Sequence, residues 1–134
     1  MIFLCYNSRE NSSIKICEQW FASHNLEFKI IEFKNFTPKE LNHILHLTNS
    51  GISEIIKKGE RTTNIFNECQ IGQTTSFSLL ISFLLEYPIV LKSPIIFDEE
   101  RLLVGYDKSD IRQFIPREER LISRQEKKNV PNSK

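Results

Sequence analysis

An α/β fold with a mixed four-stranded central sheet and flanking helices is predicted by three observations. The chain opens strand–helix–strand over its first 33 residues. It later carries two short apolar strands separated only by Asp98-Glu99-Glu100, which makes an antiparallel hairpin. Between these two blocks lie helical patterns, so one sheet must be completed from both ends of the domain. A length of 134 residues suits one domain with a sizeable core. With 40% hydrophobic and 26% charged residues, and only 4 Gly and 5 Pro, a disordered or linker-rich chain is excluded.

Each element has a local cause. Ile2 to Tyr6 reads as a buried strand. Ser12 or Ser13 can cap the helix that follows, and Ile14, Cys17 and Phe21 form its apolar stripe. Asn25, which tolerates positive φ, stops it. Glu27 to Phe33 reads as a second strand. Thr37-Pro38-Lys39-Glu40 is a helix start, with a capping residue, a first-turn proline and a capping-box glutamate. Leu41, Ile44, Leu45 and Thr48 continue its inward face, and Gly51 ends it. Ile52 to Lys58 is read as a short helix ending before Gly59. Thr74 or Thr75 is expected to cap a helix with Phe77, Leu80, Ile81 and Leu84 turned inward, closed by Tyr87-Pro88. Pro94 to Phe97 and Arg101 to Val104 form the hairpin strands, which Gly105 ends. Asp107 is expected to cap a helix through Phe114, interrupted by Pro116.

A βαβ start and an α-ββ-α end on one sheet make the thioredoxin arrangement. In that fold a cis-proline precedes the third strand, and Pro94 is the natural candidate, because only an X–Pro step tolerates the cis bond at low cost. The expected organisation is one thioredoxin-like domain over 1–116, with a helical insertion at about 37–86, then a basic helix and tail over 117–134. From Arg112 to Lys134 there are seven Lys/Arg against three Glu, a balance of +4 that leaves −3 on the rest of the chain. A basic tail on a mildly acidic body suits an anionic contact or a solvated terminal helix.

Cys5, Cys17 and Cys69 are an odd set with no close pair, so no disulfide framework is expected. Cys5 and Cys17 fall at core positions. His43 and His46 share a helix face but lack a third ligand, so no metal and no cofactor is expected. With no secretory signal and no apolar run long enough to span a bilayer, a cytoplasmic location without membrane attachment is the default expectation.

The segment from Ser93 to Arg117, SPIIFDEERLLVGYDKSDIRQFIPR, resembles the Spx/MgsR family of regulators, relatives of the ArsC arsenate reductases. The resemblance extends upstream through Thr37 to Ile56, including Ile44-Leu45-x-x-Thr48 and Gly51-x-x-Glu54-Ile55-Ile56. It is weak in the first loop and over 57–72. It implies a regulator that binds the C-terminal domain of the RNA polymerase α subunit and is a monomer when free. Gly51 then matches the docking glycine, with His46, Thr48, Asn49 and Glu54 around it. The basic tail would make a weak or indirect contact with promoter DNA.

Many members of that family sense oxidation through a Cys-x-x-Cys after the first strand. Here Glu10 and Ser13 occupy those positions. Neither a carboxylate nor an unassisted hydroxyl can stand in for a thiolate. Gly59 falls where the family holds an anion with arginine, although Arg61 is near, and Lys92-Ser93 replaces an arginine pair. The expectation is therefore a non-enzymatic regulator without a thiol switch in this loop. The alternatives are an ArsC-like thiol reductase remnant, with Cys5 as the nearest thiol, and a diverged adaptor on the same scaffold.

Overall fold

Alternation along the first strand organises the molecule. A computed structural model describes residues 1–8 and 13–116. In β1, Ile2–Tyr6, side chains point alternately to the two faces of the sheet. Ile2 and Leu4 join one apolar cluster, while Cys5, with Phe3 packed beside it, joins another. The sheet has the order β2-β1-β3-β4, with β2 at Phe28–Glu32, β3 at Ile95–Phe97 and β4 at Leu102–Val104. β1 pairs with β2 in parallel and with β3 antiparallel, and β3 pairs with β4 antiparallel. This is the mixed sheet that the sequence predicts, and the fold is thioredoxin-like.

Among the described residues, four α-helices flank it. α1, Ile14–Ser23, lies on one face and buries Ile14, Cys17 and Phe21 against Ile2, Leu4, Ile96 and Leu103. Asn25 ends it with φ +56°, as its short polar side chain allows. α2, Pro38–Leu47, and α4, Phe77–Glu86, pack on the other face, where α3, Glu60–Glu68, adds Ile65 and Phe66. The helices α2 to α4 all lie between β2 and β3 in the chain. The Ser93–Pro94 peptide is cis, and Pro94 is buried.

Several local expectations are corrected. α1 does start after Ser13, but the Ser13 hydroxyl makes no capping bond, and Ser12 lies outside the described residues. The Thr37 hydroxyl meets the Glu40 carboxylate rather than a backbone amide. The segment after Gly51 is one 3-10 turn, Gly51–Glu54, followed by an isolated antiparallel bridge between Ile56 and Leu91. The sequence pattern does not reveal α3, because polar residues dilute its apolar spacing. α4 is capped by Ser76, whose Oγ accepts from Leu79 N at 3.3 Å, while Thr75 Oγ1 accepts from Gly72 N. Phe77 points outward at 52% exposure, and Phe83 takes a buried place. Asp107 accepts from the amides of Ser109 and Asp110, which builds a turn, so the helix there is a 3-10 segment from Asp110 to Phe114. The basic helix and tail expected over 117–134 lie outside the described residues.

The α4 cap gives a direct stability prediction. Ser76→Ala leaves Leu79 N without its side-chain acceptor. It is expected to cost about 1 kcal/mol in urea unfolding, whereas Thr74→Ala should be near neutral. Equal losses at both positions would refute the assignment of the cap.

Candidate functional site

Two surfaces carry the residues that the sequence singles out. The first lies where β1 ends. Asn7 N donates to Ser93 Oγ at 3.1 Å, which ties the end of β1 to the residue before the cis-proline. Ser13 sits across the same loop at the start of α1, and Glu10 lies outside the described residues. Beside Asn7 a cavity of about 310 Å³ is lined by Lys57, Lys58, Gly59, Arg61 and Ile89. Three cations, with Glu60 beside them, thus line a cavity at the end of β1. The run Lys57-Lys58-Gly59-Glu60-Arg61 is the sequence signal for this cluster. It passes unnoticed when that stretch is searched only for one arginine at a fixed place.

No described thiol is suited to chemistry there. Cys5 is fully buried, and burial, reinforced by the Glu40 charge, pushes its thiol far above the ordinary range. Burial also pushes Cys17 up to about 11, so both thiols are protonated at neutral pH and act as small core residues. Cys69 is only partly buried, at the end of α3, and its hydrogen bond with Tyr87 raises the Tyr87 hydroxyl above its usual value. An aromatic disulfide reagent at pH 8 is therefore expected to modify Cys69 first, with Cys5 and Cys17 reacting only as fast as the chain unfolds. Cys69→Ser should remove the fast phase. A fast phase that survives in this variant would show that one of the core thiols is accessible.

The second surface is the end of α2. Gly51 follows it with φ +84°, a left-handed conformation that favours glycine. The space where a Cβ would stand is empty of other atoms within 4 Å, so the backbone itself is the surface. His46 is exposed on the last turn of α2, and its Nδ1–H donates to Asn42 O at 2.7 Å, which leaves Nε2 to the outside. Asn49 is exposed beside it. The other two predicted residues shape the turn. The Thr48 hydroxyl donates to Leu45 O at 2.6 Å, and a Glu54 carboxylate oxygen accepts from Ser50 N at 2.6 Å. The five residues are thus brought together, with His46 and Asn49 exposed and Thr48, Gly51 and Glu54 half-buried.

His43, the other histidine of α2, is turned toward the sheet, where Nε2–H donates to Asp98 O at 2.7 Å. Among the described residues, no group of three His, Cys, Asp or Glu side chains is placed to hold a metal ion, and no helix is long and apolar enough to cross a membrane.

Comparison with known proteins places these surfaces in context. The model of the ArsC family matches residues 5–114. The chain is 38% identical over 112 residues to the global transcriptional regulator Spx 2 of Oceanobacillus iheyensis, covering 81% of each chain. It is 34% identical over 109 residues to the global transcriptional regulator Spx of Streptococcus pneumoniae, covering 79% of this chain and 80% of that one. Among solved structures, a putative arsenate reductase from Yersinia pestis superposes with a TM-score of 0.67 at 9% identity, covering 85% of this chain and 100% of that one. At that identity the likeness carries the fold alone.

Proposed function

This chain belongs to the ArsC family, on its Spx branch, and from that premise we propose that it is an Spx-like transcriptional regulator that docks on the C-terminal domain of the RNA polymerase α subunit. The observation that carries this reading is the bare backbone at Gly51. A left-handed glycine with open space above it follows a helix whose last turn presents His46, with exposed Asn49 in the turn between them. Such a surface suits close approach by a partner's backbone or side chains, because no Cβ intervenes. His46 Nε2 and the Asn49 amide supply polar contacts at its rim.

The same reading makes the protein a non-enzyme. Reductase chemistry in this scaffold needs a thiolate at the start of α1, and Ser13 stands at one of the two thiol positions, Glu10 at the other. Cys5, the nearest thiol along β1, is fully buried and held protonated. The cation-lined cavity beside Asn7 could still attract an anion, but without a nucleophile it offers attraction and no bond-making step.

The test is binding of the purified α C-terminal domain by calorimetry, in dithiothreitol and after diamide treatment. We expect the same affinity in both conditions, because residues 10–13 contain nothing that diamide oxidises. Absence of binding in both conditions would overturn the proposed partner. Binding that changes with oxidation and persists in doing so in Cys69→Ser would overturn the lack of a thiol switch in the remaining fold.

A further inference from the structure

A second cavity, of about 490 Å³, is an apolar groove between the first turns of α2 and the sheet, at the end of β1 opposite to Asn7. Half-buried Phe3 and Ile31 form its floor, and the buried Phe97 ring stacks on Phe3 at 5.1 Å. Three carboxylates border this floor, Glu40 on α2 and Asp98 and Glu99 on the hairpin turn, against one exposed lysine, Lys39.

The three carboxylates are unequally engaged. Asp98 Oδ1 accepts from the amides of Glu100 and Arg101, at 2.9 and 2.7 Å, and Oδ2 lies 3.9 Å from the Arg101 guanidinium. Glu99 pairs with the α-ammonium of Met1 at 3.2 Å. Glu40 takes the Thr37 hydroxyl and has no ion pair among the described residues. Its charge reaches through the floor: after burial, it is what holds the thiol of Cys5, the register partner of Ile31, above its ordinary range. An apolar floor beside an uncompensated carboxylate suits a side chain with an apolar stem and a cationic end. Arginine fits best, because its stem packs on the floor while its guanidinium meets both carboxylate oxygens.

The chain carries such side chains beyond the described residues. Residues 117–134 hold six Lys/Arg and three Glu, a balance of +3 that leaves −2 on residues 1–116. Within them, Arg120-Leu121-Ile122-Ser123-Arg124 joins an apolar pair to two arginines. The described chain ends at Pro116, two residues after Phe114. The Phe114 ring meets Phe21, and Phe21 meets Phe28, which is in register with Ile2 at the start of β1. The chain therefore leaves on the α1 face at the same end of the sheet as the groove. Residues 117–120 span up to ~14 Å when extended, more than the ~10 Å between packed layers. We propose that Arg120–Arg124 occupies this groove in its own chain, with Leu121 and Ile122 on Phe3 and Ile31 and an arginine paired with Glu40. While it lies there, the charge of the segment is withheld from anionic partners. The contact does not rest on polymerase docking, since it uses the start of α2 rather than its end.

The experiment places a nitroxide on the isotope-labelled full chain at Asn129→Cys, in the Cys69→Ser background, where the remaining thiols Cys5 and Cys17 are buried. Enhanced amide relaxation is expected at Phe3, Ile31, Lys39 to His43 and Phe97 to Glu99. Glu40→Gln removes the charge and keeps a hydrogen-bond partner for Thr37. It should lower the enhancement about threefold, and so should Arg120→Gln/Arg124→Gln. Glu68→Gln, on α3 and outside the groove, should leave it unchanged. The amide spectrum of each variant verifies its fold. Enhancement centred elsewhere or absent, or enhancement that survives undiminished in Glu40→Gln and in the double arginine variant, would overturn the proposal. Equal enhancement in a mixture of unlabelled nitroxide-bearing chains and isotope-labelled chains without nitroxide would assign the segment to a second copy and overturn it as well.

Discussion

Gly51→Arg is expected to weaken binding of the α C-terminal domain by at least about 30-fold, the equivalent of losing an interface hot spot of ~2 kcal/mol. The long side chain would stand where the proposed docking surface is now bare backbone. Two controls separate bulk from strain. Gly51→Ala adopts the same unfavourable φ of +84°, which costs about 1–2 kcal/mol of stability, but it adds only a methyl group. It should keep most of the binding. Gly105→Arg carries the same bulk at φ +80°, after β4 rather than after α2, and should bind as wild type does. Far-UV circular dichroism confirms that each variant is folded before calorimetry. If Gly51→Arg binds as wild type does, the docking assignment is wrong even where the partner is right.

The largest stability effect is expected at Phe21. Phe21→Ala should destabilise the protein by about 3–5 kcal/mol in urea unfolding. The ring is fully buried and meets Trp20, Phe28 and Phe114 with centroids 5.4, 5.4 and 6.1 Å away. Deleting it removes the contact that binds α1 to β2 and to the final 3-10 segment at once, and it leaves a cavity that three elements border. A loss of this size is a large part of the ~5–15 kcal/mol available to a domain. Phe77→Ala is the contrasting case. Its ring is 52% exposed at the start of α4, so the change should stay within about 0.5 kcal/mol. Similar losses at the two positions would contradict the packing described here.

That contrast shows where sequence patterns are legible and where they are not. The strands, α1, α2, the hairpin and the cis-proline were readable because each carries a local cause that the packing reinforces: alternation in β1, the Ile14–Cys17–Phe21 stripe, Thr37-Pro38, and the turn at Asp98. The period of α4 is readable too, but its phase is not. Phe77 satisfies the spacing, yet it lies in the first turn beyond the reach of the sheet, and Phe83 fills the core instead. α3 escaped because Glu60 to Glu68 carries only Ile65 and Phe66 as large apolar residues, too few to set a period. The Lys57, Lys58 and Arg61 cluster became visible only when the fold placed it against Asn7, about fifty residues earlier in the chain. The proposed docking residues come from a resemblance, and the structure distinguishes their local work: Thr48 and Glu54 hold the turn, Gly51 is half-buried with a left-handed backbone, and His46 and Asn49 are exposed.

The isolated bridge between Ile56 and Leu91 bears on how tightly a partner can be held. Lys57 N donates to Val90 O and Lys92 N donates to Ile55 O, both at 2.8 Å, and Ile55 N donates back to Ile52 O within the turn that begins at Gly51. The turn proposed for docking is therefore anchored on its far side to the segment that leads into β3. A loop without such anchorage would lose conformational freedom on binding, at about 0.5–1.5 kcal/mol for each side chain that becomes fixed. Here much of that ordering is already complete in the folded chain. A partner docked as proposed would meet a pre-set surface, and more of the contact energy would remain as affinity.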